Sequence, residues 1–384
     1  MKYVTLTIIA LLLVSFGINL YLLTSGEGTR TVTEYVTLQS PMTTTITSTV
    51  TRTVASTLTI TTQVARFEES PYPLKIVDFM NREVLIAEQP KRVISCAPSN
   101  TEILASLGLL EYIVGVDEFS DYPLEVRRLR DEGKIANIGG FATLNIEKIL
   151  ELKPDIVFLS GSFQARLVPV LEEKGVTVVV LDANSILDVY KGIILVGMIM
   201  NVEDEAFKLV NSIRERIDRV QLKLAGLQYK KSVTGIIWLE PIWTAGNNTY
   251  LNDIIALAGG YNSLIDSTGW FMTSPETIVT RNPEVVFITA MSIGLKPEEV
   301  FEKFKNIEGM ASVNAVKDDE IYLLYGQAEN IFVRPGPRVG EAVELLSKIL
   351  YPEIFKVDIP KVLGDDYREH LSSTLYESSP SVIQ

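Results

Sequence analysis

A duplicated stretch constrains the fold of this chain more than any single motif. Two glycine–aromatic pairs, at residues 140–141 and 269–270, each precede a helix-capping residue, a short helical segment, a Pro and an apolar run. The runs, residues 155–160 and 284–289, are rich in β-branched side chains. Such runs are typical of strands in a parallel sheet that is covered on both faces. The duplication predicts two α/β lobes of similar build.

Strands alternate with helical segments from residue 90 onward, which favours parallel, Rossmann-like sheets. Between the two lobes, residues 203–224 carry apolar side chains at steps of three and four. This spacing is typical of a helix with one buried face. At about 1.5 Å per residue such a helix is about 33 Å long. We therefore expect two Rossmann-like α/β lobes with central sheets, joined by one long helix.

Composition divides the 384 residues into six segments. They are an N-terminal membrane anchor or signal segment (1–23), a Thr-rich stalk (24–71), an N-terminal α/β lobe (72–185), a helical linker (186–230), a C-terminal α/β lobe (231–356) and a loosely held polar tail (357–384).

The N-terminal segment is apolar from residue 4 to residue 23 and follows Lys2. An uncharged run of about 20 residues is long enough for a membrane-spanning helix. A cleaved secretory signal peptide is the alternative, and either interpretation exports the rest of the chain. The Thr-rich residues that follow predict an extended stalk that is open to O-glycosylation, and a folded β-rich segment is the alternative.

Charge and residue usage exclude several classes of function. The net charge of −13 argues against a nucleic-acid partner, which would require clustered Lys and Arg. His370 is the only histidine and lies in the tail, so no catalytic His or His-ligated metal site is expected in the core. The sole cysteine, Cys96, precludes an intrachain disulfide and is not beside the apolar segment. Without a phosphate-binding loop or nucleophile motif, the chain is not expected to be an enzyme.

Four segments, at residues 94–104, 114–116, 120–123 and 334–339, are similar to the vitamin B12 substrate-binding proteins of ABC importers. More broadly, they resemble the family of binding proteins that also takes ferric siderophores and haem. The resemblance covers about residues 74–356, with the doubled segment in register.

The resemblance implies the class III fold of periplasmic binding proteins, in which a long helix joins two lobes that hold the ligand between them. It also implies a cobalamin or related corrinoid as ligand, with a ferric siderophore or haem as the alternative and no covalently bound cofactor. An ABC permease dimer with its ATPase subunits would be the partner. The expected location is the outer face of the cytoplasmic membrane, or the periplasm or medium after signal cleavage.

Carried over by position, the resemblance places six residues around the ligand. Phe141 and Trp270 would lie at the mouth of the cleft, Tyr122 and Trp243 would complete an aromatic wall, and Asn330 and Arg334 would face the polar periphery of the ligand. Aromatic side chains suit this role because they give wide apolar contact to a conjugated ring. The alternative is that each aromatic residue fills the core of its own lobe. The equivalent positions of Phe141 and Trp270 in the repeat favour a shared face.

Glu147 and Glu276 occupy equivalent positions in the two copies, each in the first turn of a predicted helix. A carboxylate there stabilises the helix through the macrodipole, and this alone explains both residues. The resemblance implies a second role, in which the pair meets Arg residues of a two-fold permease. Asn247 begins an N-glycosylation acceptor pattern.

Two rival hypotheses remain from the sequence. An enzyme on a related scaffold would need carboxylates alone to supply its chemistry. A surface structural protein, which the Thr-rich segment suggests, would have a filled space between the lobes.

Overall fold

The computed structural model describes residues 8–14, 17–26, 29–37, 45–51, 71–289 and 295–372. Contacts divide the chain into a first unit, residues 1–70, and a second unit, residues 71–384.

The first unit contains an antiparallel sheet. Its four strands, in order across the sheet, are β1 (Ile8–Val14), β2 (Gly17–Gly26), β3 (Thr29–Thr37) and β4 (Thr45–Thr51). The prediction of one apolar helix is wrong for the described part of residues 4–23, where β1 pairs with β2 from Ile8 opposite Leu23 to Val14 opposite Gly17. The Thr-rich segment forms strands in its described part, as its alternative interpretation held, because Thr and Val branch at Cβ and favour extended backbone.

The remaining residues of the predicted anchor and stalk, 1–7 and 52–70 among them, lie outside the described residues. Among the helices that the structure describes, none has both the length and the apolar character needed to cross a bilayer.

The second unit opens with a hairpin of β5 (Leu74–Val77) and β6 (Glu83–Ile86), followed by a parallel sheet. The strands of this first sheet are β7 (Val93–Ser95), β8 (Ile113–Val116), β9 (Ala136–Asn137), β12 (Ile156–Ser160) and β13 (Thr177–Leu181), with a small hairpin of β10 (Gly139–Gly140) and β11 (Thr143–Leu144) between β9 and β12. The helices around it are α1 (Pro98–Ser106), α2 (Leu124–Asp131), α3 (Ile146–Glu151), α4 (Gly161–Gln164) and α5 (Val168–Glu173).

The strand order of the first sheet is β13-β12-β7-β8-β9. The chain enters at β7 in the middle, builds outward through β8 and β9, and returns to the other side of β7 for β12 and β13. This reversal creates a topological switch point, where a crevice opens outside the carboxyl ends of the strands. The carboxyl ends of β7 and β12 therefore mark the first place to look for a site.

Two helices carry the chain to the second sheet. They are α6 (Ile186–Met200) and α7 (Glu203–Leu224). The long helix was predicted from spacing alone and is confirmed, because Val210, Ile213, Ile217 and Val220 are buried along one face of it.

The second sheet has seven strands, in the order β17-β15-β14-β18-β19-β20, with β16 also paired to β14. The strands are β14 (Ser232–Leu239), β15 (Ile242–Ala245), β16 (Tyr261–Asn262), β17 (Trp270–Met272), β18 (Val285–Thr289), β19 (Ile321–Leu324) and β20 (Val362–Leu363). The helices are α8 (Tyr250–Leu257), α9 (Pro275–Arg281), α10 (Pro297–Lys305), α11 (Asn314–Lys317), α12 (Gly326–Val333), α13 (Val339–Leu350) and α14 (Pro352–Phe355).

The tail is packed against the second lobe as far as Ser372, so the prediction of a loose tail from residue 357 is wrong for its described part. β20 pairs with β19, and the ring of Tyr367 is buried. Composition does not predict this packing, because one buried aromatic ring and one added strand are enough to hold a short polar segment. Residues 373–384 lie outside the described residues. The predicted architecture, two α/β lobes with central sheets joined by a long helix, is confirmed.

Candidate functional site

Most of the residues singled out in the sequence follow the carboxyl ends of strands in the two lobes. Tyr122 follows β8, Phe141 lies in the β10–β11 turn after β9, and Trp243 follows the turn at the end of β14. Arg334 ends α12, which itself follows β19. In open α/β sheets ligands bind outside these ends of the strands, so the topology alone brings residues from both lobes toward one region.

A buried amide fixes the turn that carries Phe141. Gln164, which is 1% exposed, donates from Nε2 to the carbonyl oxygens of Cys96, at 2.8 Å, and Phe141, at 2.9 Å. Its Oε1 accepts from the backbone N–H of Ser160, at 2.8 Å. Gln164 therefore ties the turn to the carboxyl ends of β7 and β12. The same turn requires glycine at Gly139, where φ is +100° and a Cβ would stand 2.6 Å from the carbonyl oxygen of Thr143.

Phe141 is half-buried and stacks on a second aromatic ring, that of Phe163 in α4. The ring centroids lie 6.0 Å apart with 17° between the planes. Phe163 is 56% exposed, so the pair lies at the surface and does not fill the core of the first lobe. Phe163 was missed in the sequence because the family resemblance carried no motif at this position.

The second lobe presents its aromatic residues on one face of an antiparallel extension of the sheet. Trp238 in β14 lies opposite Trp243 in β15, and β17 places Met272 opposite Trp243 and Trp270 opposite Ala245. Opposed residues in antiparallel strands share a face, as do residues two apart in one strand. Trp238, Trp243, Trp270 and Met272 therefore form one surface, here named the tryptophan face. It contains all three tryptophans of the chain.

Neither Trp243 nor Trp270 is fully buried. Trp270 contacts the ring of buried Tyr250, with centroids 5.2 Å apart, while Met272 is largely exposed. Both sides of β15 meet core residues, because Ile242 packs with Ile278 and Phe304 on one side, and Ala245 and Trp270 belong to or pack against the larger core cluster on the other. The tryptophan face is therefore packed against the core at Trp270 and exposed to solvent at Met272. Trp238 is not among the residues predicted from the sequence, because its pairing with Trp243 is evident only in the folded sheet.

Tyr122 lies where the first lobe meets α13 and the tail. Its ring packs under two guanidinium groups, with Arg338 at 3.9 Å and Arg368 at 5.4 Å from the centroid. Its hydroxyl accepts from Arg368 at 2.6 Å. Burial raises the pKa of the Tyr122 hydroxyl, and the two arginines partly oppose that rise. The structure therefore gives Tyr122 cation–π contacts between the lobes.

Arg334 also bridges the lobes. Its Nη1 donates to the carboxylates of Asp121, at 2.7 Å, and Glu102, at 3.1 Å, and its Nη2 donates to the carbonyl oxygen of Phe119. Asn330, one turn earlier in α12, is buried and accepts the Arg334 backbone N–H through its carbonyl oxygen. The acidic partners of Arg334 thus come from the first lobe.

The centre of this interlobe network is Glu102, a carboxylate that is 2% exposed. Arg338 binds it in a bidentate manner, with Nε at 2.8 Å from Oε2 and Nη2 at 2.6 Å from Oε1. Burial alone would lower the pKa of Arg338, but the charge and hydrogen bonds of Glu102, together with the contact to Tyr367, outweigh burial and raise that pKa. Glu102, Asp121, Arg338 and Arg368 were not selected from the sequence, because their partners lie more than two hundred residues away.

A chain of buried hydroxyl groups orders the loop after β8. Ser95 contacts Thr101 at 2.7 Å, Thr101 contacts Ser120 at 2.8 Å, and Ser120 donates to Asp117 at 2.5 Å. Burial raises the pKa of Asp117 to about 6, although the hydrogen bonds from Ser120 and Phe119 act in the other direction. The chain connects the carboxyl ends of β7 and β8, directly before Asp121 and Tyr122.

Glu147 and Glu276 are exposed in the first turns of α3 and α9. Each helix is capped as predicted, because Asn145 accepts from Lys148 N–H at 2.9 Å and Ser274 accepts from Thr277 N–H at 3.3 Å. A hydrogen bond with the Ser274 hydroxyl lowers the pKa of Glu276. Each helix runs back to the start of a parallel strand, so both acids lie toward the carboxyl edges of their sheets.

In the N-glycosylation pattern at Asn247, the side chains of Asn247 and Thr249 are both hydrogen-bonded within the protein. The Asn247 amide donates to the carbonyl oxygen of Ile265 at 2.8 Å. Thr249 is buried, and its hydroxyl donates to Gly246 and caps α8. Among the described residues, no group of three or more His, Cys, Asp or Glu side chains is placed to hold a metal ion.

Two α/β lobes with residues of both converging outside their carboxyl edges define a two-lobe binding protein. The model of the periplasmic binding protein family matches residues 93–328, more than half of the chain. The uncharacterized ABC transporter substrate-binding lipoprotein YvrC of Bacillus subtilis is 32% identical over 299 residues, which cover 76% of this chain and 90% of that relative. This chain therefore belongs to the periplasmic binding protein family.

Two further similarities involve proteins whose names mention a ligand. The vitamin B12-binding protein of Yersinia pestis is 26% identical over 207 residues, which cover 53% of this chain and 71% of that protein. The solved structure of a possible iron-binding (periplasmic solute-binding) protein from Staphylococcus epidermidis has a TM-score of 0.58 and 31% identity, and it covers 69% of this chain and 100% of that chain. The predicted fold class is thus confirmed by the family as well as by the sheets.

Proposed function

We propose that this protein captures cobalamin or a related corrinoid outside the cytoplasm and delivers it to the permease of an ABC importer. The observation that carries this proposal is the pair of partly exposed aromatic surfaces, one in each lobe. The Phe141–Phe163 pair belongs to the first lobe and the tryptophan face to the second. Flat rings with few polar groups suit a large conjugated ligand.

The similarity to a vitamin B12-binding protein supports the corrinoid as ligand. A ferric siderophore or haem is the second candidate, because the Staphylococcus epidermidis relative of known structure is described as possibly iron-binding. No catalytic step is part of the proposal.

A titration of the purified full-length chain distinguishes the ligands. Cyanocobalamin, haem and ferric siderophores are each titrated in a calorimeter, and we expect saturable binding of cyanocobalamin. Absence of that binding together with saturable binding of another compound would reject the corrinoid. Absence of binding for every compound would reject a small-molecule receptor and favour a structural role.

We further propose that the chain acts at the outer face of the cytoplasmic membrane, with its apolar N-terminal segment serving for export. The Bacillus subtilis relative is named a lipoprotein. Cys96 is fully buried in the first lobe and so is not available to carry a lipid. Cell fractionation with and without detergent tests the location, and recovery in the cytoplasmic fraction would contradict it.

The partner in this proposal is a permease dimer with its ATPase subunits. Glu147 and Glu276 are the docking residues we propose, because both are exposed and each belongs to one copy of the repeat.

A further inference from the structure

An exposed arginine extends the aromatic pair of the first lobe. The guanidinium carbon of Arg166 lies 5.5 Å from the centroid of the Phe163 ring. Its Nη2 donates to the carbonyl oxygen of Ala142, at 3.1 Å, in the turn that carries Phe141. Arg166, Phe163 and Phe141 therefore form one continuous surface at the carboxyl edge of the first sheet.

Most N–H groups of this guanidinium remain free for a ligand. A guanidinium has five N–H donors, and Ala142 occupies one of those of Arg166. No ion pair involves Arg166 among the described residues, whereas Arg334, Arg338 and Arg368 each bind a carboxylate. Glu118 also contacts this turn, beside Gly140, without pairing with Arg166.

We propose that Arg166, together with the Phe141–Phe163 pair, forms a subsite for an anionic oxygen group at the rim of the ligand. This inference rests on the proposed function and adds the chemistry of one part of the ligand. Planar guanidinium groups bind phosphate and carboxylate oxygens through two parallel hydrogen bonds. In a cobalamin the group bound would be the phosphodiester of the nucleotide loop, and in haem it would be a propionate carboxylate.

The proposed subsite combines an apolar contact, from Phe163, with a charged contact, from Arg166. The exposed Phe163 ring offers apolar area to the flat part of the ligand, and the neighbouring cation fixes the orientation of that part by holding its charged rim. Since the chain carries a net charge of −13, an anionic rim needs a local cation that no carboxylate neutralises. Arg166 provides this cation next to the ring.

The test compares a ligand that carries the anionic group with one that lacks it. Cyanocobalamin and dicyanocobinamide, which has no phosphodiester, are titrated into the full chain and into Arg166→Gln. The variant should bind cyanocobalamin roughly tenfold to one hundredfold more weakly, as expected for a lost hydrogen bond to a charged group. Dicyanocobinamide should bind both proteins equally. If haem is the ligand that binds, haem and its dimethyl ester replace this pair.

The control variant is Arg219→Gln, which removes the same charge from an exposed position of α7 and should change neither affinity. Equal weakening for both ligands would overturn the inference, because Arg166 would then only support the Phe141 turn. Unchanged affinities in Arg166→Gln would also overturn it. If the unaltered chain binds none of these compounds, the corrinoid and haem ligands themselves are rejected, and the inference with them.

Discussion

At the scale of single residues, Gln164 shows how one buried side chain can help to fix the turn that carries an aromatic ring. Its amide satisfies two carbonyl oxygens and one N–H group from three separate segments. Phe141 can therefore lie at the end of a two-residue turn and still have a fixed place. A hydrogen-bonded amide of this kind is costly to disturb because Gln164 itself and its Cys96 partner are buried.

Replacing Gln164 by Glu should destabilise the protein and weaken ligand binding together. The new carboxylate can still accept from Ser160, but it faces the carbonyl oxygens of Cys96 and Phe141, which lose their donor. We expect a loss of about 1 to 3 kcal/mol in the free energy of unfolding, measured by urea denaturation. The same Gln-to-Glu change at Gln228, a glutamine with one hydrogen bond at the surface, is the control and should cost less. An unchanged unfolding midpoint for Gln164→Glu would contradict the role of the amide.

Asp117 should make the stability of the protein depend on pH. Burial raises its pKa to about 6 from an ordinary value of 3.8, so folding favours the protonated form. The stabilising effect of this protonation is complete below about pH 4, is lost as the pH rises toward 6, and is absent above that. Relative to Asp117→Asn, the unaltered protein should lose on the order of 2 to 3 kcal/mol between pH 4 and pH 7.

Urea denaturation of both proteins across this pH range provides the measurement. Two stability curves that run parallel from pH 4 to pH 7 would show that Asp117 does not titrate in this way.

Whether a residue of the candidate site can be predicted from the sequence depends on how near its contacts lie along the chain. The repeat indicated Phe141 and Trp270, and their helix caps at Asn145 and Ser274 were evident because a cap needs only the next three residues. The resemblance places Tyr122 and Arg334 at the ligand, and in the structure each contacts charged residues from the other part of the chain. No sequence spacing predicts such partners, since the acid and the base are brought together only by the packing of the two lobes.

At the scale of secondary structure, the loop between α12 and α13 locks the second lobe onto α1 of the first. Glu102, Arg334 and Arg338 form its charged centre, and each of the three side chains is largely shielded from water. Breaking a buried ion pair is more costly than never forming it, because the remaining charge stays desolvated.

Glu102→Gln should therefore lower the free energy of unfolding by about 3 to 5 kcal/mol. Asp121→Asn is the matched control, since its carboxylate binds the same Arg334 from a partly exposed position, and it should cost about 1 kcal/mol or less. Guanidinium denaturation monitored by circular dichroism gives both values. Equal effects for the two variants would mean that burial of Glu102 does not govern the strength of the network.

The elements that could be predicted are those whose pattern is repeated over several turns or strands. Helix α7 follows from a stripe of apolar residues, and β12 and β18 follow from short β-branched runs. The tail and the N-terminal strands could not be predicted in the same way. β20 has only two residues and gains its place from β19, and a run such as residues 4–23 has the same apolar composition in a helix as in paired strands.

At the scale of the whole molecule, the duplication places one acid at the same position in each lobe, and neither acid takes part in the interlobe network. Glu147 and Glu276 lie at the starts of equivalent helices, and both are exposed. A permease dimer with two-fold symmetry presents the same patch twice, which suits a pair of matched carboxylates.

Changing both Glu147 and Glu276 to Ala should leave ligand affinity within about twofold and reduce transport by at least about tenfold, because each carboxylate–arginine contact contributes on the order of 1.5 to 3 kcal/mol. Uptake of labelled cobalamin into cells or vesicles that hold the cognate permease measures transport. Glu151 and Glu308, exposed acids outside the first turns of these helices, provide the control pair. Normal uptake by the Glu147 and Glu276 double variant would contradict the docking role.

The placement of every indole of the protein on the tryptophan face makes the second lobe optically distinct from the first. Intrinsic emission excited selectively in the indoles reports the surroundings of one lobe alone, without any label. A quencher that reaches the open side of this surface should dim the unliganded protein, and a ligand seated there should protect it. The order in which the lobes engage a ligand is thus open to stopped-flow spectroscopy on the unmodified chain.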